Sequence, residues 1–506
     1  MTPRHIHDLI AEQATHRPDA PAIIDPHHGV RSYSAYQAAI TEAAALLRDH
    51  GVQPDDRVLI VAENCLATAV FLFATSTVGA YAIPINARMT GAEIKRVIDH
   101  STPRLTLYTT EASPEAATHA ANAGATAHDT SFGTFALKIT GDSIPARMAG
   151  DETAIILYTT GTTGDPKGVM LTHANLLFAG AASARLRAIV AEDQIYGVLP
   201  LSHVFGVASM LMASSHVGAT IQLETRFRPD DLYAALMNGV TVFPAVPQMH
   251  ALLMQYTKEN GIERLEGSKL RYVSSGAAPL DPAWKRKAEA FYGLALQNGY
   301  GMTESTAGIC ATSNPIGTPD TSVGPPLPGI DIRLDTTVSA EDGVGEILTR
   351  GPHVMKGYFN NPDETAKTID GAGWLRTGDL GQIDALGNLH VVGRCKELII
   401  RGGFNVYPPE VEAALNNHPD IIQSAVIGRR IEGGNEEILA FVQCSDPTGL
   451  DLAELKSFVA DHLASYKRPS RILPVLQLPA AATGKLLKHK LLSTFADMLA
   501  QTDPKE

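Results

Sequence analysis

Cysteine is scarce in this sequence, and its spacing carries no pattern. Only Cys65, Cys310, Cys395 and Cys444 occur among 506 residues, and no two of them form a CxxC pair. A disulfide framework or a structural zinc site is therefore not expected in a chain of this size. We expect buried thiols in a reducing cytosol.

Long apolar runs are also missing. No stretch of about 18 apolar residues occurs, so we expect no membrane span. Residues 1–8 contain no apolar segment of the kind that a signal peptide needs, and residues 503–506 carry no peroxisomal or prenylation signal. These absences predict a cytoplasmic protein.

Positive charge is in short supply. The chain has 41 Lys and Arg against 54 Asp and Glu, which gives a formal net charge of −13 and a pI of about 5.8. An acidic chain has no bulk attraction to nucleic acid. Any small anionic ligand must therefore be held by local cationic side chains.

What the sequence does contain is a repeated strand–helix–strand order. Apolar runs of strand length at 57–62, 81–85, 195–199, 240–246 and 270–276 alternate with helical patterns. This order is typical of α/β layers with largely parallel sheets. The Ala-rich stretch 111–128 is predicted to be a surface helix and a loop.

The sequence pattern changes after about residue 325. Short strands marked by glycine follow, such as 345–349 and 387–392, and they predict a compact β-rich unit. A charged junction at 394–396 precedes about 110 residues with two helices and several strands. We therefore predict an α/β protein with a large N-terminal domain, residues 1–393, and a small α+β C-terminal domain, residues 397–506.

One stretch between residues 158 and 168 has the chemistry of a triphosphate cradle. It follows the apolar run 154–157. Glycine lets backbone N–H groups turn toward an anion, threonine adds hydroxyl donors and lysine adds a charge. The spacing is not that of a Walker A motif, so a P-loop ATPase is disfavoured. The candidate phosphate-binding residues are Thr159, Thr160, Gly161, Thr162, Thr163, Gly164 and Lys167.

Three further stretches are weaker signals when each is taken alone. Residues 298–304 could place Tyr300 on a base, Thr303 on a phosphate and Glu304 on Mg²⁺, although a turn that caps a helix has the same pattern. Asp379 suits a ribose hydroxyl but also an ordinary hairpin. Lys485 ends a small-residue loop, where a solvated lysine is the ordinary alternative.

Taken together, these stretches resemble the adenylate-forming superfamily, which contains acyl-CoA synthetases, adenylation domains and beetle luciferases. Seven segments match the motifs of that superfamily, in the same order and over nearly the whole chain. They are 158–168, 274–280, 299–304, 377–379, 393–396, 401–408 and 479–485.

The resemblance implies a reaction in two steps, with ATP, Mg²⁺ and CoA as the cofactors. A carboxylate attacks the α-phosphorus of ATP to give an acyl-adenylate and pyrophosphate, and the thiol of CoA then displaces AMP. By resemblance, Lys485 bridges the carboxylate and the α-phosphate, and Glu304, beside Thr303, holds Mg²⁺. Asp379 and Arg394 hold the ribose. The adenine is surrounded by Gly276, Ala277, Asn298 and Tyr300.

The resemblance also implies that the small domain is mobile. It rotates about a hinge at 394–396, here Lys396, so that the loop with Lys485 leaves and a thiol tunnel forms. The expected CoA-binding residues are Gly402, Gly403, Phe404, Tyr466, Lys467 and Arg468. The chain departs from the usual motifs at three positions: Thr160 stands in place of Ser, the hinge residue is Lys rather than Asp, and Lys488 stands in place of Arg.

The predicted acyl pocket is lined by residues that, apart from His203, are apolar or small. Its candidate residues are His203, Phe205, Val246, Gly276, Gly301, Ala307 and Gly308. No Asp occurs between 203 and 210 to pair an ammonium group, which disfavours amino acids. An aryl, arylpropenoyl or medium-to-long aliphatic acid is expected. His203 could gate the thiol or could simply be a packed histidine.

Three functions stay open at this point: an acyl- or aryl-CoA ligase, a stand-alone adenylating enzyme that loads a carrier protein, and a non-catalytic relative. The third is disfavoured because Lys485, Glu304 and Asp379 are all present. The expected partners are the small-molecule acid, ATP and CoA, with no nucleic acid and no membrane span. A homodimer is a further alternative.

Overall fold

The computed structural model describes residues 3–142, 152–160, 166–276, 280–339, 341–401, 404–431, 436–480 and 486–502. The strands in chain order are β1 (Pro21–Asp25), β2 (Gly29–Ser32), β3 (Arg57–Ala62), β4 (Tyr81–Asn86), β5 (Leu105–Tyr108), β6 (Thr126–Thr130), β7 (Gly133–Ile139), β8 (Thr153–Thr160), β9 (Pro166–Thr172), β10 (Gln194–Gly197), β11 (Thr220–Leu223), β12 (Val242–Ala245), β13 (Tyr272–Gly276), β14 (Leu296–Met302), β15 (Ala307–Ala311), β16 (Asp331–Asp335), β17 (Val344–Arg350), β18 (Gly357–Tyr358), β19 (Leu375–Ile383), β20 (Leu389–Arg394), β21 (Ile399–Arg401), β22 (Phe404–Val406), β23 (Gln423–Arg430), β24 (Glu436–Gln443) and β25 (Arg471–Val475).

Helices alternate with many of these strands. They are α1 (Ile6–His16), α2 (Tyr33–Asp49), α3 (Leu66–Thr77), α4 (Gly91–Ser101), α5 (Pro114–Ala123), α6 (His173–Leu186), α7 (Val204–Gly206), α8 (Met212–Val217), α9 (Pro229–Met237), α10 (Pro247–Glu259), α11 (Pro282–Tyr292), α12 (Pro362–Thr368), α13 (Pro408–Asn416), α14 (Leu452–His462), α15 (Leu491–Thr494) and α16 (Ala496–Thr502). A π-helical turn, Val207–Leu211, joins α7 to α8.

Two eight-stranded sheets form the large N-terminal part. One has the order β15-β14-β13-β12-β10-β11-β1-β2, and the other has the order β18-β9-β8-β4-β3-β5-β7-β6. The inner pairs of both sheets are parallel, and the antiparallel pairs lie toward their edges. A four-stranded antiparallel sheet, β16-β17-β19-β20, is the predicted β-rich unit.

The continuous apolar run of β3 is explained by burial on both of its faces. Val58 and Ile60 pack into the main core with helices α1, α2 and α3, while Leu59 and Val61 face a second core with α4 and α5. A strand of a parallel sheet that is covered on both faces has no polar side to present. Helix α3 is likewise buried along almost its whole length, which is why it lacks an amphipathic pattern.

The small C-terminal part has its own sheets and cores. Strands β23, β24 and β25 form a three-stranded sheet, and α13 and α14 pack on one of its faces. Asp451 caps α14 by accepting hydrogen bonds from the N–H groups of Ala453 and Glu454. A second apolar cluster on the other face holds α15 and α16.

The predicted fold class is confirmed, but one segment was misassigned. Residues 111–128 were expected to be a helix and a loop, whereas the helix covers Pro114–Ala123 and a strand begins at Thr126. This strand is mostly exposed and has no apolar alternation, so its pairing with β7 determines its conformation. Within the described residues, no helix is both long and apolar enough to cross a bilayer. Three of the cysteines are buried, and Cys395 is half-buried.

Candidate active site

Four neighbouring parallel strands bring the predicted pocket residues to one edge of a sheet. Strands β10, β12, β13 and β14 are adjacent in that order, and β12 to β14 pair in parallel register. His203 and Phe205 follow the first, and Val246 follows the second. Gly276 ends the third, and Tyr300 lies near the end of the fourth. The carboxyl ends of parallel strands are where open α/β sheets bind ligands.

Three residues predicted to hold the nucleoside form one cluster. The hydroxyl of Tyr300 donates a hydrogen bond of 2.6 Å to Asp379 Oδ2, and Arg394 Nε lies 3.1 Å from Asp379 Oδ1. Asp379 and Arg394 are opposite each other on β19 and β20. Burial by itself lowers the pKa of Arg394, but the carboxylates of Asp379 and Glu397 raise it overall, so the guanidinium stays charged.

The tight turn before Asp379 is built by hydrogen bonds to its neighbours. Gly378 has φ +72°, in the left-handed region, and its N–H donates to Glu346 Oε1 at 3.1 Å. The N–H of Asp379 donates to Thr377 Oγ1, whose hydroxyl donates to the carbonyl of Ile347. The carboxylate is therefore fixed from the backbone side and leaves its oxygens for Tyr300 and Arg394.

Asn298 lies within the same part of β14 and is buried. Its side-chain amide donates to the carbonyl of Ser322 at 2.9 Å, and its Oδ1 accepts from the N–H of Gly299 at 3.0 Å. These contacts fix the path of the chain before Tyr300. The described geometry thus gives Asn298 a structural function next to the nucleoside cluster.

Glu304 is linked to the phosphate loop through a tyrosine. The hydroxyl of Tyr358 donates a hydrogen bond of 2.9 Å to Glu304 Oε1, and Lys167 Nζ lies 5.2 Å from the centre of the Tyr358 ring. Lys167 also forms an ion pair with Glu364 at the start of α12. Thr303 and Glu304 lie in a buried 3₁₀ turn. The predicted metal ligand and the predicted phosphate lysine therefore belong to one cluster.

The phosphate loop connects two antiparallel strands. Thr159 is opposite Lys167, and Tyr158 is opposite Gly168, in the β8–β9 pair. Nδ1 of His100 lies 2.7 Å from the hydroxyl of Tyr158, and burial raises the pKa of that tyrosine well above its usual value. The predicted residues Gly161, Thr162, Thr163 and Gly164 lie outside the described residues, as do Ala277, Gly402, Gly403 and Lys485, and nothing is described of the side chain of Thr160.

The predicted acyl-pocket residues pack closely. A Cβ atom at Gly276 would lie 3.2 Å from the ring of Phe205, so these two residues touch across the pocket segment. Gly301 is opposite Gly308 in the β14–β15 hairpin, and a Cβ at Gly301 would overlap the carbonyl oxygen of Ala307. Ala307 itself has φ +84°. Glycine at 301 is therefore required by the close approach of the backbone.

His203 is the N-cap residue of α7, and the first turn of that helix orients its ring. Its Nδ1 accepts from the N–H of Phe205 at 3.3 Å, so Nε2 carries the proton in the neutral ring. The π-helical turn Val207–Leu211 follows directly. Such turns occur often at functional sites and re-aim the side chains around them. No pattern in the sequence indicates this turn.

The predicted CoA-binding residues on the small domain come together in part. The rings of Phe404 and Tyr466 stack at 4.7 Å, although the two residues are distant in the sequence. Lys467 Nζ lies 2.6 Å from Glu410 Oε1. The guanidinium of Arg468 donates to the carbonyls of Leu463 and Ala460, at the end of α14. In this structure Arg468 therefore binds the carbonyl groups at the C-terminal end of α14.

Sequence reasoning missed Tyr358 and Glu364. Both belong to the segment Gly357–Thr368, which we did not single out, because a tyrosine and a glutamate near a short helix carry no motif of their own. Their importance follows from the pairing of β18 with β9, in which Tyr358 is opposite Val169. Only the folded sheet shows that this segment lies against the phosphate loop.

A cavity of about 180 Å³ adjoins the segment before His203. Val198, Pro200 and Met249 contribute to its wall, as do two arginines, Arg88 and Arg226. Each guanidinium is paired with a carboxylate: Arg88 with Glu63 at 2.7 Å, and Arg226 with Glu115 at 2.5 Å.

Comparison with known proteins identifies the family. The AMP-binding enzyme family matches residues 10–359, and the AMP-binding enzyme C-terminal domain matches residues 410–485. The chain belongs to the AMP-binding enzyme family, within the adenylate-forming superfamily that its motifs predicted.

Similar proteins of known activity are CoA ligases. The chain is 32% identical to a 3-[(3aS,4S,7aS)-7a-methyl-1,5-dioxo-octahydro-1H-inden-4-yl]propanoyl:CoA ligase of Mycobacterium tuberculosis, over 94% of this chain and 96% of that protein. It is 31% identical to 4-coumarate–CoA ligase 2 of Oryza sativa subsp. japonica (98% and 93%) and 32% identical to sulfoacetate–CoA ligase of Cupriavidus necator (96% and 97%). The chain is an AMP-forming acid–CoA ligase.

Solved structures agree with this assignment. ATP-bound MatB of Rhodopseudomonas palustris superimposes with a TM-score of 0.83 at 29% identity, over 97% of this chain and 99% of that one. The apo form of the same protein gives 0.71 with the same coverage. O-succinylbenzoate CoA synthetase of Bacillus subtilis in complex with ATP and magnesium gives 0.81 at 28% identity, covering 96% and 98%.

Proposed function

We propose that this ligase activates an apolar carboxylic acid, either aryl, arylpropenoyl or medium-to-long aliphatic, and transfers the acyl group to CoA. The observation that carries the proposal is the set of pocket residues at the ends of four adjacent strands, with Phe205 touching Gly276. Val246 and Ala307 in this set are buried and apolar. Burying apolar substrate surface against them is favourable, at about 25 cal/mol per Å².

Similarity to these relatives does not indicate which acid this enzyme activates. One is named for a bicyclic propanoyl group, one for 4-coumarate and one for sulfoacetate, although all are about equally similar to this chain. Identity near 30% therefore supports the type of reaction, and the identity of the acid must be inferred from the pocket residues. A sulfonate or second carboxylate needs a cation in the pocket. None of the seven predicted pocket residues is a lysine or an arginine, and the two arginines of the neighbouring cavity, Arg88 and Arg226, are paired with carboxylates.

In the proposed first step, an acid and a triphosphate that repel each other are brought into contact. Lys167 and the threonines of the phosphate loop hold the β- and γ-phosphates, and Lys485 neutralises charge where the carboxylate meets the α-phosphate. Asp379 and Arg394 fix the ribose. Catalysis of this kind is mostly positioning and charge stabilisation.

Magnesium fits the residues that are present. Glu304 is a buried carboxylate, and one of its oxygens accepts a hydrogen bond from Tyr358. Magnesium in nucleotide sites takes one or two carboxylates together with phosphate oxygens and water. When bound with ATP, the ion would neutralise phosphate charge, and Glu304 would hold it. The one group of three His, Asp, Glu or Cys side chains with metal-like spacing in the described residues, His5, His7 and Asp8, lies elsewhere, on α1 and its cap.

For the second step we propose that the small domain, residues 397–506, rotates about Lys396 relative to residues 1–393. The rotation removes Lys485 and brings the loop around Gly402, Gly403 and Phe404 to the thiol path, with Tyr466, Lys467 and Arg468 near the CoA nucleotide. The ATP-bound and apo forms of MatB give different TM-scores against this chain, which supports a change of arrangement between the two states of such an enzyme.

The test is acid-dependent release of pyrophosphate over a panel of benzoates, arylpropenoates, fatty acids, dicarboxylates and amino acids, each with and without CoA. We expect release, followed by acyl-CoA formation, with members of the first three groups. Release with dicarboxylates or amino acids alone would refute the apolar pocket. Release that is followed by acyl transfer to a carrier protein, and not to CoA, would favour the carrier-loading alternative.

A further inference from the structure

Lys488 is held between two carboxylates in the small domain. Its Nζ lies 2.8 Å from Glu412 Oε1 and 3.2 Å from Glu397 Oε2. Its side chain is only 19% exposed, and that of Glu412 is 13% exposed. Burial alone lowers the pKa of Lys488, but the two carboxylates raise it overall, so the ammonium group stays charged.

The two carboxylates belong to different parts of the chain. Glu397 directly follows Lys396, in a turn where its N–H donates to the carbonyl of Arg394 at 3.1 Å. Glu412 lies on α13, and its Oε1 also accepts from the N–H of Val426 on β23 at 2.7 Å. Lys488 therefore connects the turn beside the hinge to a helix and a sheet of the small domain.

Lys488 also lies directly after the loop that contains Lys485. The described residues on either side of this loop, Ala480 and Leu486, form an antiparallel bridge, and the N–H of Leu487 donates to the carbonyl of Pro479 at 2.8 Å. Lys488 begins the 3₁₀ turn that follows. Its ion pairs thus lie three residues after Lys485 in the sequence, at the outgoing end of the loop.

We propose that Lys488 is a positioning residue for the adenylation step: its ion pairs with Glu397 and Glu412 fix the base of the Lys485 loop to the hinge turn. The proposal rests on the function proposed above for Lys485. A reacting group misplaced by about 1 Å can lose about a hundredfold in rate. Because Lys485 acts in adenylate formation and not in thioester formation, loss of the anchor should affect the first step selectively.

The experiment measures the two half-reactions separately. Lys488→Met should lower acid-dependent pyrophosphate release about tenfold to a hundredfold, while acyl-CoA formation from supplied acyl-adenylate changes less than about threefold. Lys488→Arg keeps the charge and should restore most of the first step. Glu397→Gln removes one partner and should give a smaller loss in the same direction.

Arg429→Met is the matched control. Arg429 pairs with Glu437 across β23 and β24 of the same domain and is distant from Lys485 in the sequence, so its loss should leave the ratio of the two half-reactions unchanged. Thermal unfolding of every variant is recorded in parallel. If wild-type protein releases no pyrophosphate with any acid, the proposed function itself fails.

Three outcomes with an active wild type would overturn the proposal. In the first, Lys488→Met leaves both half-reactions unchanged. In the second, it lowers both equally. In the third, Lys488→Arg is as impaired as Lys488→Met. Should Lys488→Met fail to fold, Glu397→Gln decides, because Glu397 is partly exposed and its loss leaves Lys488 paired with Glu412.

Discussion

The hydroxyl of Tyr358 donates a hydrogen bond of 2.9 Å to Glu304, and the ring of the same tyrosine lies 5.2 Å below Lys167. One side chain thus contacts both the proposed metal ligand and the phosphate lysine. Burial raises the pKa of Tyr358, and the nearby carboxylate of Glu304 raises it further. The phenol therefore remains a donor at any ordinary pH.

Tyr358→Phe removes this donor and leaves the ring. We expect the KM for MgATP to rise about fivefold to tenfold, because a hydrogen bond to a charged group contributes about 1.5–3 kcal/mol and solvent replaces part of it. The KM for the acid should change little. Tyr81→Phe is the control, since Tyr81 donates in the same way to Asp55, far from the site in sequence. An unchanged KM for MgATP would refute the assigned role.

Glu364 is paired with Lys167 in this structure, and the hydrogen bond from Lys167 is the main reason why its pKa is lowered. Phosphate must compete with that carboxylate for the lysine. Glu364→Gln should therefore tighten ATP binding about twofold to fivefold, the value of a partly exposed ion pair. Calorimetric titration with ATP measures the change, and Asp363→Asn, an exposed neighbour, is the control. Weaker binding would mean that Glu364 holds the lysine in its productive position.

The absence of a side chain at Gly276 lets the ring of Phe205 lie close to the end of β13. Gly276→Ala places a methyl group 3.2 Å from that ring, which is tighter than ordinary contact. We expect kcat/KM for aryl acids to fall about tenfold, or about 1.4 kcal/mol, with a larger loss for wide acids than for narrow ones. Phe205→Leu combined with Gly276→Ala should recover part of the loss. If Gly276→Ala lowers kcat/KM equally for acids of different width, the acyl group binds elsewhere.

The sequence predicted the reaction class and a set of candidate site residues, but not how those residues are held. The motifs placed Tyr300, Asp379 and Arg394 in one nucleotide site by resemblance, and the folded sheets bring them together. Tyr358 and Glu364 were not predicted as site residues, because their contacts depend on the pairing of β9 with β18.

Two local features show the same limit. The exposed strand Thr126–Thr130 has no apolar alternation, so only its neighbour β7 reveals it. The π-helical turn after His203 uses the same apolar residues as an ordinary helix, and packing selects between them. Local patterns indicate elements and motifs, whereas contacts between distant segments decide these details.

His250 should make the stability of the large domain depend on pH. It is fully buried, its Nδ1 lies 2.8 Å from the hydroxyl of Tyr292, and burial lowers its pKa to about 4. The unfolded chain, with a pKa of about 6.5, binds the proton first as the pH falls. The contribution of His250 to the free energy of unfolding is therefore fully present above about pH 6.5. It is lost between about pH 6.5 and 4, by about 1.4 kcal/mol per pH unit.

His250→Gln should reduce that slope by about the same amount, whatever it does to stability at neutral pH. Urea unfolding followed by tryptophan fluorescence measures it, because Trp284 lies 5.8 Å from the His250 ring and both tryptophans of the chain precede residue 394. Leu253→Met, a buried neighbour on α10 that does not titrate, should change the stability without changing the slope. An unaltered slope in His250→Gln would show that the titration of His250 does not contribute to the pH dependence.

Lys485 is predicted to act in one half-reaction only. Lys485→Ala should abolish acid-dependent pyrophosphate release, by about a thousandfold or more, because no other group then bridges the carboxylate and the α-phosphate. Acyl-CoA formation from supplied acyl-adenylate should persist within about threefold of wild type, since a thiol needs no such bridge. Lys490→Ala, five residues further on in the same segment, is the control for general damage to the C-terminal end. Equal loss of both half-reactions in Lys485→Ala would contradict the proposed alternation, because it would require the same lysine to serve the thiol as well as the phosphate.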